Sequence, residues 1–469
     1  MYNSKLILLY KSLSFSEKSL FKKWVKSPVH NKHQDVIQLF DFIASKKLLT
    51  KRTVEKKVLF KFIYPNTSYS DLRLRHIMTL GVNQLENFVC FIKQKEDQFQ
   101  QKKSLIKHYS DRNLEKFALL NINKSKIAQT KRVIRDSQFY YEQYQLERII
   151  LEHHEKQQRV QTSNLQKITD AYSIAFIIET LQNACAALAY QNLNKKNSCE
   201  FPFLVTILDF IQQGKYDSII AIQFYYYSYL SLANPDEVSY FLQLKKLLFE
   251  QHSVLPLREI KHIHIIAFNF CIKKLNTGAE EYVQEVFELF KYGLEYHILI
   301  ENDVLSRFTY KNIITAALRL KNIDWTKTFI QEYTPRLEAQ YQTNYQHFAE
   351  AKLLFTQGYY QQTLQLLNQV EYDDLFLNLD AKIILMKIYY ETNSINALDS
   401  FLNSFYVFLQ RKEIMGYHQK NYKNIVKLTQ KLAYLATYDK KGQQKLKKQI
   451  EETAPLTERT WLLDQVEKL

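Results

Sequence analysis

Apolar residues recur at helical spacing along almost the whole chain, and the interruptions fall at Pro, Gly, Asn and Ser. The first clear amphipathic segment opens at Phe15-Ser16-Glu17, with Leu20, Phe21 and Trp24 at i, i+1 and i+4. It stops at Ser27-Pro28, because a residue before proline avoids the helical region. Residues 35–49 read as a second helix with an apolar stripe of Ile37, Phe40, Phe42 and Ile43. A third, 53–63, ends at Tyr64-Pro65-Asn66, and Ser70 has the character of an N-cap for a long helix running to about Lys95.

From about residue 123 to 159 the pattern predicts one long polar helix. Ile127, Ile134 and Tyr141 stand seven apart in it, as an apolar seam between paired helices would. A break at Gln161-Thr162-Ser163-Asn164 leads into 165–190, so an antiparallel hairpin is the simplest arrangement. Further helices at 201–213, 218–233, 236–250, 259–274 and 280–292 are separated by Gly214, Asn234-Pro235, Pro256 and Asn276-Thr277-Gly278. No strand alternation is found, so the expected class is all-α. The expected organisation is a basic helical module over 1–122, a long helical hairpin over 123–195, repeat-like helix pairs over 196–410 and C-terminal capping helices over 411–469. In the last of these, Trp461, Leu462, Leu463 and Val466 are expected to pack inward.

Composition sharpens the exclusion of sheet folds. The 469 residues include only 7 Gly and 7 Pro, against 33 Tyr and 30 Phe. Tight hairpins and phosphate-cradling loops need glycine for positive φ, which argues against most β-sandwich and Rossmann-type architectures. Hydrophobic residues at 46% and charged residues at 24% are ordinary for a chain that buries a sizeable core. Length alone allows roughly two or three domains, or one elongated array.

An internal repeat supports the array. Residues 349–370 (AEAKLLFTQGYYQQTLQLLNQV) and 381–405 (AKIILMKIYYETNSINALDSFLNSF) superimpose with Gly358 on Asn393, an offset of 35 residues. Residues 312–333 have the same helix–turn–helix shape about 35 residues earlier, in a register the sequence leaves open. This resembles the tetratricopeptide repeat family, whose period is 34 residues. Ala351-x-x-Leu354 stands where that family places Gly-x-x-Tyr, Gly358 at its turn, and Thr363-x-x-x-Leu367 at its Ala-x-x-x-Phe. Met386-x-x-Tyr389 and Leu398-x-x-x-Leu402 take those places in the next unit. Met386, Thr363 and Leu398 replace small residues, and the family's terminal Pro is missing. The resemblance implies an α-solenoid whose concave face holds a protein or peptide. Residues 27–31 (SPVHN) and 72–88 (LRLRHIMTLGVNQLENF) are also similar to the N-terminal region of an uncharacterised bacterial protein family, a resemblance that carries no function.

The net charge of +16 is unevenly placed. Residues 1–165 hold 31 Lys and Arg against 15 Asp and Glu, whereas the remainder holds 33 of each. An excess confined to the first third points to an anionic partner there, with nucleic acid the commonest, or to a solvated basic face. Cys90, Cys185, Cys199 and Cys271 form no CxxC pair, as expected in a reducing compartment. The N-terminus has only a five-residue apolar stretch before Lys11, and AYSIAFIIETLQNACAALAY is interrupted by Glu179, Gln182 and Asn183. The expectation is a cytoplasmic bacterial protein with no membrane segment.

Candidate chemistry is sparse. His153-His154-Glu155 lacks the i, i+4 histidine pair of a zincin helix, His262 and His264 point about 200° apart on a helix, and His30 and His33 lie in a Pro-containing loop. Asp373-Asp374 reads as an exposed inter-helix turn or cap rather than an acid/base pair, and no GxSxG, GxxxxGK[ST] or GxGxxG occurs. No cofactor, metal or catalytic activity is expected. The aromatic run Phe224-Tyr225-Tyr226-Tyr227-Ser228-Tyr229 has no basic residue from 216 to 244 and reads as packing core. Lys46, Lys47, Lys51, Arg52, Lys56, Lys57, Lys61, Arg73 and Arg75 form the one dense basic cluster and are the candidate nucleic-acid contacts. Two functions are therefore expected in order: a non-catalytic scaffold or adaptor for a protein partner, then a nucleic-acid-associated regulator using the basic module.

Overall fold

The computed structural model describes residues 1–156, 164–193, 199–370, 374–411 and 416–469. Among them are twenty-three α-helices, two short 3-10 turns and a single two-stranded ladder of two residues per strand. The chain divides into two units, Met1–Glu179 and Thr180–Leu469.

In the first unit, α1 (Lys5–Ser12), α2 (Phe15–Lys26), α3 (Gln34–Ala44), α4 (Lys56–Ile63) and α5 (Asp71–Glu96) share one core. A capping box starts α2: Ser14 Oγ accepts the Glu17 N–H at 3.2 Å, and Glu17 Oε2 accepts the Ser14 N–H at 2.6 Å. It ends before Pro28 as expected, although Leu20 faces solvent and Phe21 and Val25 carry the packing. Helix α3 stops earlier than its apolar pattern predicts, at Ala44, with the Ser45 hydroxyl on the Phe42 carbonyl. Val36 and Leu39 are buried there, whereas Ile37 is only half-buried. Helix α4 begins at Lys56 rather than at 53, because Thr50 and Thr53 each take the other's backbone N–H on a side-chain oxygen. Short polar side chains of this kind compete with helix formation. Ser70 caps α5 as expected, accepting the Arg73 N–H at 3.3 Å.

Leu74, Ile77, Gly81, Leu85 and Phe88 form the inner stripe of α5. Gly81 is the point of closest approach: a Cβ there would lie 2.8 Å from Leu39 Cδ2 and 3.1 Å from Leu6 Cδ1. Helices α6 (Gln98–Asp111), α7 (Glu115–Lys131) and α8 (Ser137–Lys156) follow. The single long helix expected over 123–159 is therefore two helices. Asp136 breaks it, capping α8 through the Phe139 N–H at 2.8 Å, while Arg132 pairs with Glu142 at 2.8 Å. The seam also lies elsewhere: Ile127 is 55% exposed and Tyr141 43%, whereas Phe139, Leu146, Ile150 and His153 are buried. Of the expected break at 161–164, only Asn164 lies within the described residues.

Helix α9 (Leu165–Leu193) runs from the first unit into the second. Its residues Leu165–Gln191 reach a mean hydropathy of 1.2, enough by length and composition to cross a membrane. The core helix of a water-soluble domain satisfies the same test. Within the first unit Glu179 takes a hydrogen bond from Ser137 at 2.6 Å, and within the second Leu181, Ala184 and Cys185 are buried.

The second unit continues with α10 (Leu204–Gln212), α11 (Ile220–Ala233), α12 (Val238–Gln251), α13 (Leu257–Asn276) and α14 (Tyr282–Glu295). Phe224, Tyr225 and Ser228 are buried in α11, so that part of the aromatic run is packing core, while Tyr226, Tyr227 and Tyr229 are half-buried. Next, β1 (Ile300–Glu301) pairs antiparallel with β2 (Val304–Leu305), a ladder too short to give a period-2 signal. Three helix pairs follow: α15 (Arg307–Arg319) with α16 (Ile323–Tyr333), α17 (Gln342–Thr356) with α18 (Tyr360–Leu367), and α19 (Leu375–Glu391) with α20 (Ile395–Arg411). Helix α15 packs on α17, and α17 on α19. The chain closes with α21 (Gly416–Ala433), α22 (Lys440–Glu452) and α23 (Arg459–Glu467). Leu462 and Val466 are buried as expected, and Trp461 and Leu463 are half-buried against the same core.

The three pairs turn in the same way. Lys321, Gly358 and Asn393 all have positive φ, at 57°, 83° and 52°. In each, the next residue's N–H reaches back five residues, to Ala317, Leu354 and Tyr389, at 2.9 to 3.0 Å. This is the Schellman ending that returns a chain after a helix. It sets the register the sequence left open: Lys321 corresponds to Gly358. In that register Ile314, Ala351 and Met386 coincide and are buried, as are Thr326, Thr363 and Leu398. Thr326 and Thr363 take a small residue's place because each hydroxyl donates to the carbonyl four residues back, Asn322 at 2.7 Å and Tyr359 at 2.9 Å.

Candidate functional site

The structure splits the nine basic candidates into two groups. Lys46 and Lys47 follow α3, Lys51 and Arg52 lie in the turn before α4, Lys56, Lys57 and Lys61 are on α4, and Arg73 and Arg75 are in the first two turns of α5. Four are engaged within the fold. Asp71 accepts Lys56 Nζ at 2.9 Å and Arg75 Nε at 2.6 Å. Those two bonds and a third from Tyr69 hold its carboxyl well below the usual carboxylate range. Arg73 lies 3.7 Å over the Tyr64 ring, and Lys46 lies 4.4 Å over Phe42. Lys47, Lys51, Arg52, Lys57 and Lys61 are exposed, with no ion pair among the described residues. Lys57 and Lys61 share a face of α4 one turn apart, beside exposed Val58 and Phe62. Helix α5 has an inner stripe committed to the core, so the free cations sit on α4 and the turn before it.

On the same unit, Trp24, His30 and Phe91 line an open cleft of about 510 Å³ together with Lys23 and Lys95. The Trp24 and His30 rings stack with centroids 3.5 Å apart and planes 9° from parallel. Gln84 fixes both, accepting from Trp24 Nε1 at 3.2 Å and donating to the His30 carbonyl at 2.9 Å. Asn31 pins the loop, donating to Val25 and His33 carbonyls and accepting the His33 N–H.

A second cluster of charges, in the other unit and largely buried, lies between α15, α17, α19 and the turn before α23. Lys311 pairs with Asp380, whose other oxygen accepts from Tyr422 at 3.2 Å. Lys352 Nζ donates to Thr315 Oγ1 at 2.7 Å. Lys387, only 9% exposed, pairs with Glu458 Oε2 at 2.6 Å. Burial lowers the Lys352 ammonium to about 8, although Asp380 and Glu458 pull it upward. Burial likewise raises Glu458, but Lys387 and Lys352 more than offset it and hold the carboxyl below its usual range. Lys352 and Lys387 occupy the same position in consecutive helix pairs, six residues before Gly358 and Asn393. The 35-residue overlay already set one lysine on the other, although composition alone drew attention only to the N-terminal cluster.

The other polar features are structural. His264 Nε2 is 2.9 Å from the Leu289 carbonyl, and burial lowers its pKa. Asp374 accepts from Arg307 and Tyr345, both at 3.0 Å, while Asp373 lies outside the described residues. Among the described residues no three His, Cys, Asp or Glu side chains converge as a metal site would require. No family model, no curated protein and no solved structure matches the chain.

Proposed function

We propose that the protein is a non-catalytic scaffold or adaptor: an α-solenoid of tetratricopeptide-like helix pairs that holds a partner protein along the face formed by α15, α17 and α19. The observation that carries this reading is the repeated turn at Lys321, Gly358 and Asn393, with buried residues in common register around it. A pair of this kind cannot bury its apolar face alone, so neighbours stack and their first helices form an extended surface. Four free cysteines support a reducing, cytoplasmic setting. The test compares proteins retained by the immobilised full chain with those retained by the double variant Lys311→Gln/Lys387→Met. A partner held by the first and lost by the second, with the helical signal unchanged, supports the reading; identical retained sets overturn it.

A second reading, a nucleic-acid-associated regulator, is favoured by the five exposed cations around α4. Its measure is a salt series on the full chain with labelled DNA and RNA, where phosphate contact gives a steep log–log slope. A flat or absent response assigns those cations to solvent.

A further inference from the structure

The three rings of the cleft in the first unit form a step. His30 lies over Trp24 at the contact distance of parallel rings, 3.5 Å. Phe91 is 4.9 Å from Trp24 and 6.2 Å from His30, with its plane tilted 42° and 49° from theirs. Those three separations make nearly a right angle at Trp24, so Phe91 stands beside the stack while His30 rises above it. Phe91 is 44% exposed, and His30 is exposed as well. Gln84 accepts the indole N–H, so the step offers ring faces rather than a donor. Its parts are fixed in advance: Gln84 also holds the His30 carbonyl, and the buried Asn31 amide is on the Val25 and His33 backbone. A ligand there has little ordering of the protein to impose.

The cleft is also positively charged. Lys23 stands next to Trp24 on α2 and Lys95 one turn beyond Phe91 on α5; both line the cleft. They are exposed, with no ion pair among the described residues. The carboxylate in the lining, Glu96, is held by Lys93 at 2.8 Å. The acids around it are engaged too: Asp41 by Lys26 at 3.2 Å, Glu86 by Lys5 at 2.6 Å, and Glu17 and Asp97 as helix caps. Residues 15–33 and 84–97, which build the cleft, hold seven lysines against four Asp and Glu.

We propose that the step of Trp24, His30 and Phe91 takes an unpaired base of a single-stranded nucleic acid, with Lys23 and Lys95 on the flanking phosphates. A cationic ligand would meet two free ammonium groups and no free carboxylate. An apolar side chain of a partner protein would satisfy the rings but not the ammoniums beside them. A nucleotide supplies a flat π-face and an anion together, which is the pairing that single-strand binding requires. A duplex keeps its bases stacked on one another and offers the step nothing. This rests on the nucleic-acid reading and adds to it a second site and a strandedness. The cations around α4 are a separate contact. The Lys56–Asp71 pair ties α4 to the start of α5, and Phe91 is 20 residues further along that helix, about 30 Å away.

The experiment follows Trp24 emission in a chain with Trp325 and Trp461 replaced by Phe, titrated at low salt with oligo(U), oligo(dT) and a blunt duplex of the same number of phosphates. Either single strand is expected to quench the emission and to bind at least tenfold more tightly than the duplex; the tighter of the two names the sugar. Phe91→Leu and His30→Ala should each weaken single-strand binding at least about fivefold. Lys23→Gln with Lys95→Gln should lower the single-strand salt slope by about 1.4, at ~0.7 per phosphate. Lys57→Gln with Lys61→Gln should leave the quenching in place. Anisotropy of a labelled strand, with the parent chain and with Phe91→Leu alone, gives the same comparison where the tryptophan replacements do not fold. Equal binding of strand and duplex, with the emission and the Phe91→Leu affinity unchanged, overturns the cleft and leaves the nucleic-acid reading to α4. No binding of any nucleic acid at low salt overturns both. Quenching by polyglutamate at lower concentration than by either strand overturns the choice of nucleic acid and makes an acidic protein segment the occupant.

Discussion

Lys352 donates across to Thr315, the residue that fills its own position in the preceding helix pair. The packing of α17 on α15 thus brings these two equivalent positions into direct contact, and burial there desolvates the Lys352 ammonium. Folding suppresses Lys352 protonation, moving its pKa from 10.5 to about 8, so the unfolded chain holds that proton over a pH range in which the folded chain has released it. Stability contributed by this site therefore rises with pH from about 8 to about 10.5. Lys352→Met should be more stable than the parent at pH 7 by about 1 kcal/mol, the cost of burial being reduced by the partial exposure of the side chain. The advantage should shrink as pH approaches 10. Urea midpoints of both proteins across pH 7–10 check this, and a constant difference excludes it.

Lys321 adopts positive φ where Gly358 does so without a Cβ. Replacing Lys321 with Gly should stabilise the second unit by about 1 kcal/mol, and Gly358→Ala should destabilise it by about the same amount. Thermal unfolding followed by helical signal gives both signs. If the two substitutions shift the midpoint in the same direction, the register drawn between these turns is wrong.

At Gly81 an added Cβ meets side-chain methyls of Leu39 and Leu6 rather than backbone. Gly81→Ala should cost about 1–3 kcal/mol, with the neighbouring leucines shifting to admit it, and Gly81→Val more. Chemical denaturation of a chain with Trp325 and Trp461 replaced by Phe, read at Trp24, measures the loss. An unchanged midpoint for Gly81→Val would show that α5 does not approach α1 and α3 as closely as described.

If phosphate contact occurs at α4, the cations do not count equally. Lys57→Gln with Lys61→Gln should lower the salt slope by nearly two, at about 0.9 per duplex contact, whereas Lys56→Gln should leave it almost unchanged because Asp71 already holds that ammonium. Equal effects from all three would place the contact elsewhere.

What was legible in the sequence depended on how local the cause was. Ser70, Pro28 and the breakers between later helices act on their own neighbours, and the helices they bound stand within a few residues of expectation. The break at Asp136 was also local, but a continuous polar pattern concealed it, since a capping aspartate looks like any other charged residue until its N–H partner is known. The register of the first repeat was hidden because its turn uses Lys321, a residue with no preference for positive φ. The buried charge cluster was half visible: the repeat aligns Lys352 with Lys387, but Glu458 lies 71 residues beyond Lys387 and no periodicity connects them. Among the nine basic candidates, density in sequence could not distinguish Lys56, tied to Asp71, from exposed Lys57 beside it.

The three tryptophans sit in three different environments. Trp24 is stacked under His30, Trp325 lies against Phe329 with centroids 5.2 Å apart, and Trp461 rests near the Lys387 ammonium. With Trp24 and Trp325 replaced by Phe, the emission spectrum belongs to Trp461 alone. A chain so altered reports, without any attached dye, on the packing of α23 beside the Lys387 ammonium.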